Sequence, residues 1–582
     1  MNKIGGIFMM QQKRGNETTI KEVFMRNIGV SSLEEVNDWF RKSYANNYRL
    51  SGDDEFINIA NQFKDKKIRF VGDYDGDGVG ATSILMMGFS NAGFTNISYR
   101  IPTRQEGFGI SMKIVDECIA DGVELIITAD NGIAGIEPIR KAKEHGITVI
   151  VTDHHQPQTD ENGNTVLPDA DLIINPNAVD NSADFNGYCG AGLVYKLMKK
   201  MNADDIEFCK KIQSIAAIST ITDVMVLREE NFVIVRNGLK RLTIQKYVST
   251  GLYALISALN LTDHIDASDI GFKLGPCINA CERIITGGAA KVVDLILFNG
   301  PYEEAVPMAQ EIVEINKIRK DQTAKGYRMA LDVIMTNGYK KDVPLVVYIP
   351  EINEGIIGIL AGQLCEEFKV PVIVFTESSN PDIVKGSARS CGNCNIIQEL
   401  EKISELLYKF GGHEAAAGLS AYKKNLSAIR DSLKRNLKYF VPETKDISYY
   451  DLEIEEKDIK DSLEELDKYR PFGNGNAEPV FKVSNFVLVP NFGSFSRILG
   501  ENRNTVKISS KHADAIGFKQ MVSQIGELKE SKTFDLYGSL SYNYYRGKKY
   551  NQVEFSDFSE KKKTLVKTDL ASKLQQMAAS KE

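Results

Sequence analysis

The sequence predicts an α/β fold in which a parallel-sheet domain and a smaller α/β domain are joined by a long helix and followed by a strand-rich domain. Short apolar segments alternate with helix-like patterns from residue 66 to residue 174, as in parallel sheets covered by helices. A charged helical pattern with few breakers spans residues 302–335, and several strand-like segments follow residue 449. The chain has 582 residues, which is the length of roughly three domains.

The composition is that of a globular protein without membrane spans. Hydrophobic residues make up 43% of the chain and charged residues 26%, which is ordinary for a folded soluble protein. No window approaches the roughly 20 uninterrupted apolar residues of a membrane helix. Residues 1–14 carry only a short apolar patch, so we expect no signal peptide.

The cysteine content indicates the cellular compartment of the protein, and the net charge bears on which partners it binds. The 8 cysteines are scattered and mostly in apolar surroundings, which favours a reduced, cytoplasmic location over a disulfide framework. Cys391 and Cys394 form one C-x-x-C, but no second pair has zinc spacing, so we do not expect a zinc site there. The net charge of -7 gives no sign of nucleic acid, so any nucleic-acid binding must use local basic patches.

The first strand of the predicted sheet, Ile68–Val71, leads into an acidic turn. Asp73, Asp75 and Asp77 follow the strand on alternate residues, and a helix-like pattern begins at residue 81. Carboxylates crowded on a tight turn repel one another unless a cation lies between them, and a divalent metal ion is the simplest such cation. An acidic surface turn is the alternative interpretation of this stretch taken alone.

Two later strands of the predicted sheet also end in residues that bind metals. The strand at residues 123–128 is followed by Asp130, and the strand at residues 147–152 by the tripeptide Asp153-His154-His155. In a parallel sheet the ligand lies at the carboxyl ends of the strands. The sequence therefore predicts a metal site at this edge of the sheet.

A fourth acidic position, Asp223, follows an apolar helix at residues 213–222 and is either a helix-end contact with solvent or an inward-facing ligand.

The order D-x-D, D-N-G, D-H-H and isolated Asp resembles the DHH phosphoesterases and, within them, the RecJ family of single-strand-specific 5′→3′ exonucleases. The resemblance covers about residues 50–560. Its further marks are G-F-K-L-G-P-C-I-N-A-C-E-R (271–283), the stretch at 354–364, G-S-A-R-S (386–390), the DHHA1 signature G-G-H-E-A-A-A-G (411–418) and R-P-F-G-N-G-N-A-E-P-V-F (470–481).

The resemblance implies hydrolysis of phosphodiesters with two metal ions. Mn²⁺ suits a site of oxygen and imidazole ligands well, and Mg²⁺ accepts the carboxylates. The implied bridging ligand is Asp130. The other implied catalytic and metal-binding residues are Asp75, Asp77, His154 and Asp223 as ligands, Asp73 as a ligand or a support behind them, His155 as a residue that orients a carboxylate, and His413 as a donor to the scissile phosphate.

The resemblance also implies the substrate contacts. Arginine presents a planar fork to phosphate, and serine adds a hydroxyl group. Without the resemblance, each of the matching residues would be interpreted as an ordinary surface-loop residue. Gly412, beside His413, would let the protein backbone approach the nucleic-acid strand closely. The residues that match substrate-contacting positions are Arg104, Asn279, Arg283, Ser387 and Arg389.

The chain departs from the family pattern near these residues. The family often has Arg where this chain has Cys277, and Ala-Gly where it has Cys281-Glu282. An acidic residue beside a phosphate channel is unexpected.

The strand-rich region suits a small barrel such as an OB fold. In its segment S-Y-N-Y-Y-R-G-K-K-Y (541–550), aromatic residues that include Tyr545 are interleaved with basic residues that include Arg546 and Lys548. This suits base stacking and backbone charge pairing, and a β-hairpin with tyrosines packed across its strands is the alternative. The expected domains are a helical N-terminal extension (1–50), a DHH catalytic domain (51–300), a connecting helix (301–336), a DHHA1 domain (337–445), an OB-fold domain that binds nucleic acid (446–560) and a polar tail (561–582).

The expected function is metal-dependent hydrolysis of single-stranded DNA, 5′→3′ to mononucleotides, in DNA repair and recombination. The alternatives are a DHH-type phosphodiesterase of short oligonucleotides or cyclic dinucleotides, and a non-catalytic replication scaffold of the same fold. The resemblance implies single-stranded DNA as the partner, with a single-stranded-DNA-binding protein or a helicase as candidate protein partners. We expect a monomer without membrane contact.

Overall fold

The computed structural model describes residues 10–45, 48–160, 162–178, 184–442, 447–500 and 503–561. The expected polar tail lies outside these residues except for Lys561, as do residues 1–9 of the expected N-terminal extension. The chain forms two compact units. The larger unit holds residues 34–445 and 473–475, and the smaller unit holds residues 1–33, 446–472 and 476–582.

The N-terminal segment contains a strand that the helical expectation for this segment missed. Residues Met10–Lys13 form β1 and pair in parallel with a strand at Ile447–Tyr450. The partner of β1 lies more than 400 residues away, so no local pattern could indicate the pairing. Helices follow: α1 (Ile20–Ile28), which Thr19 and Glu22 begin with a capping box, α2 (Leu33–Ala45) and α3 (Asp53–Gln62).

The larger unit is built on a five-stranded parallel sheet, which confirms the predicted fold class. The sheet runs in the order β3-β2-β4-β5-β8, and a two-stranded ribbon, β6 and β7, precedes its last strand. The strands are β2 (Ile68–Val71), β3 (Ile97–Arg100), β4 (Leu125–Thr128), β5 (Thr148–Thr152), β6 (Gln158–Thr159), β7 (Thr165–Val166) and β8 (Leu172–Ile174).

Helices cover both faces of this sheet, so its strands read as continuous apolar runs. Val71, Ile126 and Val149 face one core, and Phe70 and Ile127 face the other, larger core. The helices are α4 (Gly76–Asn91), α5 (Met112–Ala120), α6 (Ile136–Glu144), α7 (Gly190–Met201), α8 (Ile206–Thr222), α9 (Glu229–Leu242), α10 (Thr250–Ala258), α11 (Ala267–Asp269), α12 (Gly275–Ile284) and α13 (Gly288–Leu297).

One long helix, α14 (Tyr302–Thr336), joins two cores of the larger unit. Ala309 and Ile312 in its first half belong to the core of the parallel-sheet domain. Ala330 and Ile334 near its end belong to a separate core. Because one continuous helix contributes to both cores, it is the connecting element that the charged helical pattern predicted.

The second α/β domain contains a mixed sheet in the order β12-β13-β11-β10-β9, in which only β9 and β10 are parallel. Its elements are β9 (Leu345–Tyr348), α15 (Ile357–Phe368), β10 (Val372–Glu377), β11 (Ile383–Arg389), α16 (Ile396–Glu401), β12 (Leu407–His413), β13 (Ala416–Tyr422) and α17 (Leu426–Asn436).

The smaller unit is strand-rich, as predicted. Its seven-stranded sheet runs β15-β16-β20-β21-β19-β18-β17, with β15–β16 and β19–β21 parallel and the other pairs antiparallel. Its elements are β14 (Ile447–Tyr450), β15 (Leu452–Glu455), α18 (Ile459–Leu466), β16 (Phe481–Val487), β17 (Ser496–Leu499), β18 (Thr505–Ser509), β19 (Asp514–Phe518), α19 (Gln520–Ile525), β20 (Thr533–Tyr545) and β21 (Lys548–Glu560). In the described part of the chain, no helix is long and apolar enough to span a bilayer.

Candidate metal centre and phosphate pocket

Two aspartates of the acidic turn are held by the ends of helices. Asp75 is the N-cap of α4, and its Oδ1 accepts hydrogen bonds from the backbone N–H groups of Asp77 and Gly78, both at 3.0 Å. Asp77 accepts hydrogen bonds from the first two N–H groups of α7, those of Gly190 at 2.6 Å and Ala191 at 3.0 Å. Backbone donors at the start of each helix therefore fix the orientation of these two carboxylates.

Asp130 occupies a constrained position directly after β4. Its φ is 65°, a conformation that residues with a side chain adopt only when neighbouring contacts impose it. Its N–H donates to the carbonyl of Thr152 at 3.0 Å, which ties it to the end of β5. Its buried Oδ1 finds no hydrogen-bond donor among the described residues. A buried carboxylate oxygen without a hydrogen-bond donor is typical of a metal ligand in a structure that lacks the metal ion.

The two histidines after β5 have different surroundings. His154 Nε2 lies 3.1 Å from Asp130 Oδ1, 3.6 Å from Asp223 Oδ2 and 3.9 Å from Asp77 Oδ2. His155 Nδ1 lies 2.7 Å from Asp153 Oδ1 and 4.0 Å from Asp130 Oδ1. His154 therefore joins the carboxylates, whereas Asp153 holds the ring of His155.

These contacts create two overlapping groups of candidate metal ligands. One group is Asp130, His154 and His155, and the other is Asp77, His154 and Asp223. Asp223 ends α8 with its Oδ2 3.6 Å from His154 Nε2, so its carboxylate faces the other candidate ligands. Neither group includes Asp73 or Asp75.

The remaining acid of the turn, Asp73, lies in the interior. Its Oδ1 accepts from the Gly109 N–H at 3.3 Å, and its Oδ2 has no hydrogen-bond partner within the described part of the chain. Burial, followed by the charge of Asp75, raises the pKa of Asp73 well above its ordinary value. This position fits either a ligand or a support behind the ligands.

Mutual repulsion of the carboxylates is visible in their pKa values. Burial and then the charge of Asp77 raise the pKa of Asp75, and the same two causes raise the pKa of Asp130 well above its ordinary value. They also raise the pKa of Asp223 to about 8. The cluster thus holds protons that a cation would displace.

The histidines respond in opposite directions. Burial lowers the pKa of His154, so this ring is neutral and its nitrogen lone pair is free to bind a metal. Burial alone would lower the pKa of His155, but the hydrogen bond and the charge of Asp153 outweigh burial and raise the pKa of His155 to about 9. Burial likewise opposes the charge of Asp153, yet the contact with His155 keeps the pKa of Asp153 below its ordinary value.

The donor set fits a divalent cation. Carboxylate oxygens with one or two imidazoles suit Mn²⁺ and accept Mg²⁺. The buried oxygens without donors and the raised carboxyl pKa values are both relieved by such an ion. A group of side chains that could hold a metal ion is therefore present near the carboxyl ends of the parallel strands.

A separate polar cavity of about 480 Å³ lies within the larger unit. It receives Arg104 and Arg283 from the parallel-sheet domain and Ser387 and Arg389 from β11 of the second α/β domain. Lys385 and Lys409 also line it. Four of the residues predicted to contact substrate phosphates thus share one cavity, in which cations outnumber the single lining carboxylate, that of Glu354.

The arginines of this cavity keep part of their donor capacity free. The Arg104 guanidinium lies 4.9 Å over the Tyr74 ring, and its buried Nε has no hydrogen-bond partner among the described residues. Arg283 donates to the Gly355 carbonyl at 3.0 Å. Burial and then the charge of Arg104 lower the pKa of Arg283 to about 10. An anion would relieve this crowding of cations.

Three other predicted site residues lie outside the lining of this cavity. Asn279 Oδ1 accepts from the Gly76 N–H at 2.8 Å, so it supports the start of α4. His413 is exposed at the end of β12, and its Nδ1 accepts from the Ala415 N–H at 3.3 Å. Gly412 has a φ of 150°, and a Cβ atom there would lie 2.3 Å from the Ala416 carbonyl oxygen, so only glycine fits.

The predicted nucleic-acid segment of the smaller unit is a hairpin, in agreement with the alternative for this stretch. β20 and β21 pair Tyr545 with Lys548 across a two-residue turn in which Arg546 and Gly547 both have positive φ. Tyr545 is 57% exposed, and the Arg546 guanidinium lies 5.2 Å from its ring. The hairpin therefore presents an aromatic face and cations at its tip.

Sequence reasoning missed two aromatic residues beside the metal centre. The ring of Phe108 lies 5.4 Å edge-on to the His155 ring and 6.1 Å from the Tyr74 ring. Phe108 is 53% exposed although its neighbours in sequence, Gly109 and Ile110, are buried. The signal for Phe108 was a large apolar residue between two glycines in the segment that follows β3.

Three family profiles match the chain in order. They are the N-terminal domain of the DHH family at residues 67–221, the DHHA1 domain at residues 342–438 and the RecJ OB domain at residues 450–557. The three matches correspond to the parallel-sheet domain, the second α/β domain and the strand-rich unit.

Similar whole proteins point the same way. The chain is 29% identical over 492 residues to the single-stranded-DNA-specific exonuclease RecJ of Haemophilus influenzae, covering 80% of this chain and 82% of that protein. It is 34% identical over 397 residues to the protein of the same name from Salmonella typhimurium, covering 64% of this chain and 67% of that protein. A crystal structure of RecJ with Mn²⁺ from Thermus thermophilus matches with a TM-score of 0.70 at 25% identity, over 88% of this chain and 72% of that one.

Proposed function

The chain belongs to the RecJ family, and we propose that it is a metal-dependent exonuclease that hydrolyses single-stranded DNA from the 5′ end and releases mononucleotides. The observation that carries this proposal is the convergence of Asp77, Asp130, His154 and Asp223 at the carboxyl ends of the parallel strands. A scaffold has no use for carboxylates that repel one another at this cost.

The metal-binding roles follow from this geometry and from the family. We assign Asp130 as the bridging ligand and Asp75, Asp77, His154 and Asp223 as the other ligands of two Mn²⁺ or Mg²⁺ ions. When bound, these ions supply an activated water and neutralise the charge that develops on the phosphoryl oxygens. The backbone donors on Asp75 and Asp77 hold both carboxylates in one orientation, so little reorganisation is needed when the ions enter.

His155, His413 and the basic cavity are the parts of the protein that we assign to contacts with the DNA. His155, kept protonated by Asp153, places a positive donor beside the ligands, where a phosphate oxygen would accept from it. Arg104, Arg283, Ser387 and Arg389 would bind the 5′-terminal phosphate and so set the polarity of digestion. We assign His413 to the scissile phosphate, an assignment that rests on the family signature alone.

The cellular setting is part of the proposal. All eight cysteines lie within the described residues, where none of them forms a disulfide, and we propose a reducing compartment such as the cytoplasm. The matched profiles support a catalytic DHH domain (51–300), a connecting helix (301–336), a DHHA1 domain (337–445) and an OB domain (446–560). We propose that the chain acts as a monomer in DNA repair and recombination, on strands delivered by a single-stranded-DNA-binding protein or a helicase.

The decisive experiment is digestion of a single-stranded DNA labelled at its 3′ end, with Mn²⁺ and with EDTA, beside a blunt duplex. Progressive shortening of the labelled strand with Mn²⁺ alone, and a spared duplex, is the expected result. Release of the labelled nucleotide first would reverse the proposed polarity. Cleavage of a dinucleotide but not of the long strand would indicate a phosphodiesterase of short substrates, and binding without any cleavage would indicate a scaffold.

A further inference from the structure

The acidic departure from the family pattern, Glu282, is buried rather than facing the phosphate cavity. Its side chain is 5% exposed, and it is not among the residues that line the cavity, although Arg104 and Arg283 are. A buried carboxylate must be satisfied by donors, because the loss of its hydration is costly. The donors of Glu282 therefore show what this residue does.

Three backbone N–H groups from two separate segments donate to this carboxylate. Oε1 accepts from Arg104 at 3.0 Å and from Gly287 at 3.3 Å, and Oε2 accepts from Ala289 at 3.2 Å. Gly287 and Ala289 lie at the N-terminus of α13, whose dipole favours a negative charge. Both oxygens are thus turned toward backbone donors, which reduces the expected repulsion between Glu282 and a bound phosphate.

The contact with Arg104 is the one that reaches the cavity. Residues 101–107 form a loop without helix or strand, and the Arg104 side chain extends from this loop over Tyr74. Within the loop, the Glu106 carboxylate accepts from the Thr103 N–H at 2.8 Å, from Arg100 of β3 at 2.8 Å and from Lys113 of α5 at 2.6 Å, which attaches the far side of the turn but not Arg104 itself. The bond between Glu282 and the Arg104 N–H attaches the loop to α12 at the residue that carries the guanidinium.

We propose that Glu282 is a positioning residue for the phosphate cavity, because its carboxylate fixes the backbone of Arg104 and so directs the guanidinium into the cavity. The inference rests on the proposed function, in which Arg104 contacts the 5′-terminal phosphate. Glu282 touches no substrate atom in this role and acts only through Arg104. It is an anion that strengthens the binding of another anion.

The test compares Glu282→Ala and Glu282→Gln with the parent protein on single strands that carry either a 5′-phosphate or a 5′-hydroxyl. Glutamine keeps the shape and one acceptor but turns an amide N–H₂ toward the Ala289 N–H, so its effect should be intermediate. A displaced guanidinium should raise KM for the 5′-phosphorylated strand roughly 10-fold with kcat changed far less. KM for the 5′-hydroxyl strand should remain close to that of the parent.

A double-mutant cycle with Arg104→Ala separates positioning from general damage. In the Arg104→Ala background, Glu282→Ala should have no further effect on KM, because the guanidinium that it directs is absent. Glu456→Ala is the matched control, since Glu456 is also a buried glutamate that accepts a backbone N–H, that of Val487 at 2.9 Å. This control should lower the melting temperature without changing the ratio of the two KM values.

The outcomes distinguish this inference from the proposed function. A parent protein that cleaves neither strand would refute the proposed function. An active parent whose KM ratio is unchanged in both Glu282 variants would refute only the positioning role, as would equal effects of Glu282→Ala with and without Arg104. Should Glu282→Ala fail to fold, Glu282→Gln decides by the same ratio.

Discussion

Gly190, the first residue of α7, lies so close to Asp130 that a Cβ atom on the glycine would be 2.5 Å from the Cβ atom of the aspartate. The same glycine donates its N–H to Asp77. One residue without a side chain therefore lets the end of α7 approach two candidate metal ligands at once, and no substitution can preserve both contacts.

Gly190→Ala should displace Asp130 and weaken metal binding. A shift of the order of 1 Å in a ligand position costs roughly 100-fold in rate, so kcat should fall by that order and the Mn²⁺ concentration for half-maximal activity should rise. Gly192→Ala is the matched control, because its Cβ would meet Tyr188 at 3.5 Å, an ordinary contact. Equal Mn²⁺ responses of the two variants, measured by activity and by thermal unfolding, would argue against this account.

Asp130→Ala should abolish hydrolysis and leave strand binding largely intact. Removing a group that works as part of a catalytic unit lowers kcat by roughly 10³-fold or more. The proposed binding surfaces are the basic cavity and the hairpin, neither of which includes Asp130. Rates on a 3′-labelled strand and fluorescence anisotropy in EDTA measure the two properties separately, and full activity of the variant would refute the bridging assignment.

The stability of the metal-free protein should fall as the pH rises toward 8. The folded-state pKa of Asp223 is about 8 against an ordinary value of 3.8. A carboxyl whose pKa is raised by folding contributes stability below its unfolded pKa, and this contribution is lost as the pH rises through the folded pKa. The rise in melting temperature on adding Mg²⁺ in place of EDTA should therefore be larger at pH 8 than at pH 6.

Asp223→Asn provides the control for this pH dependence. Asparagine does not titrate, so the melting temperature of the metal-free variant should depend less on pH between about 4 and 8 than that of the parent. A pH dependence identical to that of the parent would assign the titration to other groups.

Arg389→Ala should remove the preference for a 5′-phosphate. Arg389 Nη1 donates to Ser387 Oγ at 3.2 Å and to the Ala388 carbonyl at 2.8 Å, which fixes the guanidinium beside the cavity. Losing one charge-assisted contact costs about 1.5–3 kcal/mol, so kcat/KM for the 5′-phosphorylated strand should fall about 10- to 100-fold. Kinetics on strands with and without the phosphate test this directly.

Arg430→Ala is the matched control for Arg389→Ala. Arg430 is also half-buried in the second α/β domain, where it lies 4.5 Å over the Tyr339 ring and donates to the Val346 carbonyl. It does not line the cavity, so its loss should lower the melting temperature but leave the phosphate preference unchanged. The assignment of Arg389 fails when both variants keep the parent's preference.

The hairpin tip should matter for long strands only. Tyr545→Ala removes an exposed stacking surface worth about 1–3 kcal/mol per base, and Lys548→Ala should reduce the salt dependence of binding by about 0.7 in log–log slope. Tyr439→Ala is the control, because Tyr439 is 78% exposed and has Lys438 over its ring at 4.6 Å but lies in the other unit. Unchanged binding of long strands after both hairpin changes would refute a DNA contact there.

Much of this architecture could be predicted because it is encoded locally. Ile68–Val71 forms a strand with the expected bounds, and the long helix ends within one residue of its pattern. The residues brought together at the strand ends follow from one rule about parallel sheets. Residues 541–550 allowed two interpretations, and the pairing of β20 with β21 shows that they form the β-hairpin.

What escaped prediction depends on contacts between distant segments. Gly190 reads as an ordinary helix start, and only its distance to Asp130 gives it importance. Asp153 lies beside the two histidines in sequence, but only the 2.7 Å contact between its carboxylate and the His155 ring shows that it raises the pKa of His155. Glu282 reads as a charge beside a phosphate channel until its backbone donors are known.

The smaller unit is assembled from both ends of the chain, since β1 pairs with β14 and Arg26 of α1 donates to the buried Asp451 at 2.7 Å. During synthesis, β1 and Arg26 leave the ribosome more than 400 residues before β14 and Asp451. These contacts can therefore form only after residue 451 has been synthesised, and a chain interrupted before residue 447 carries β1 without the strand that it pairs with.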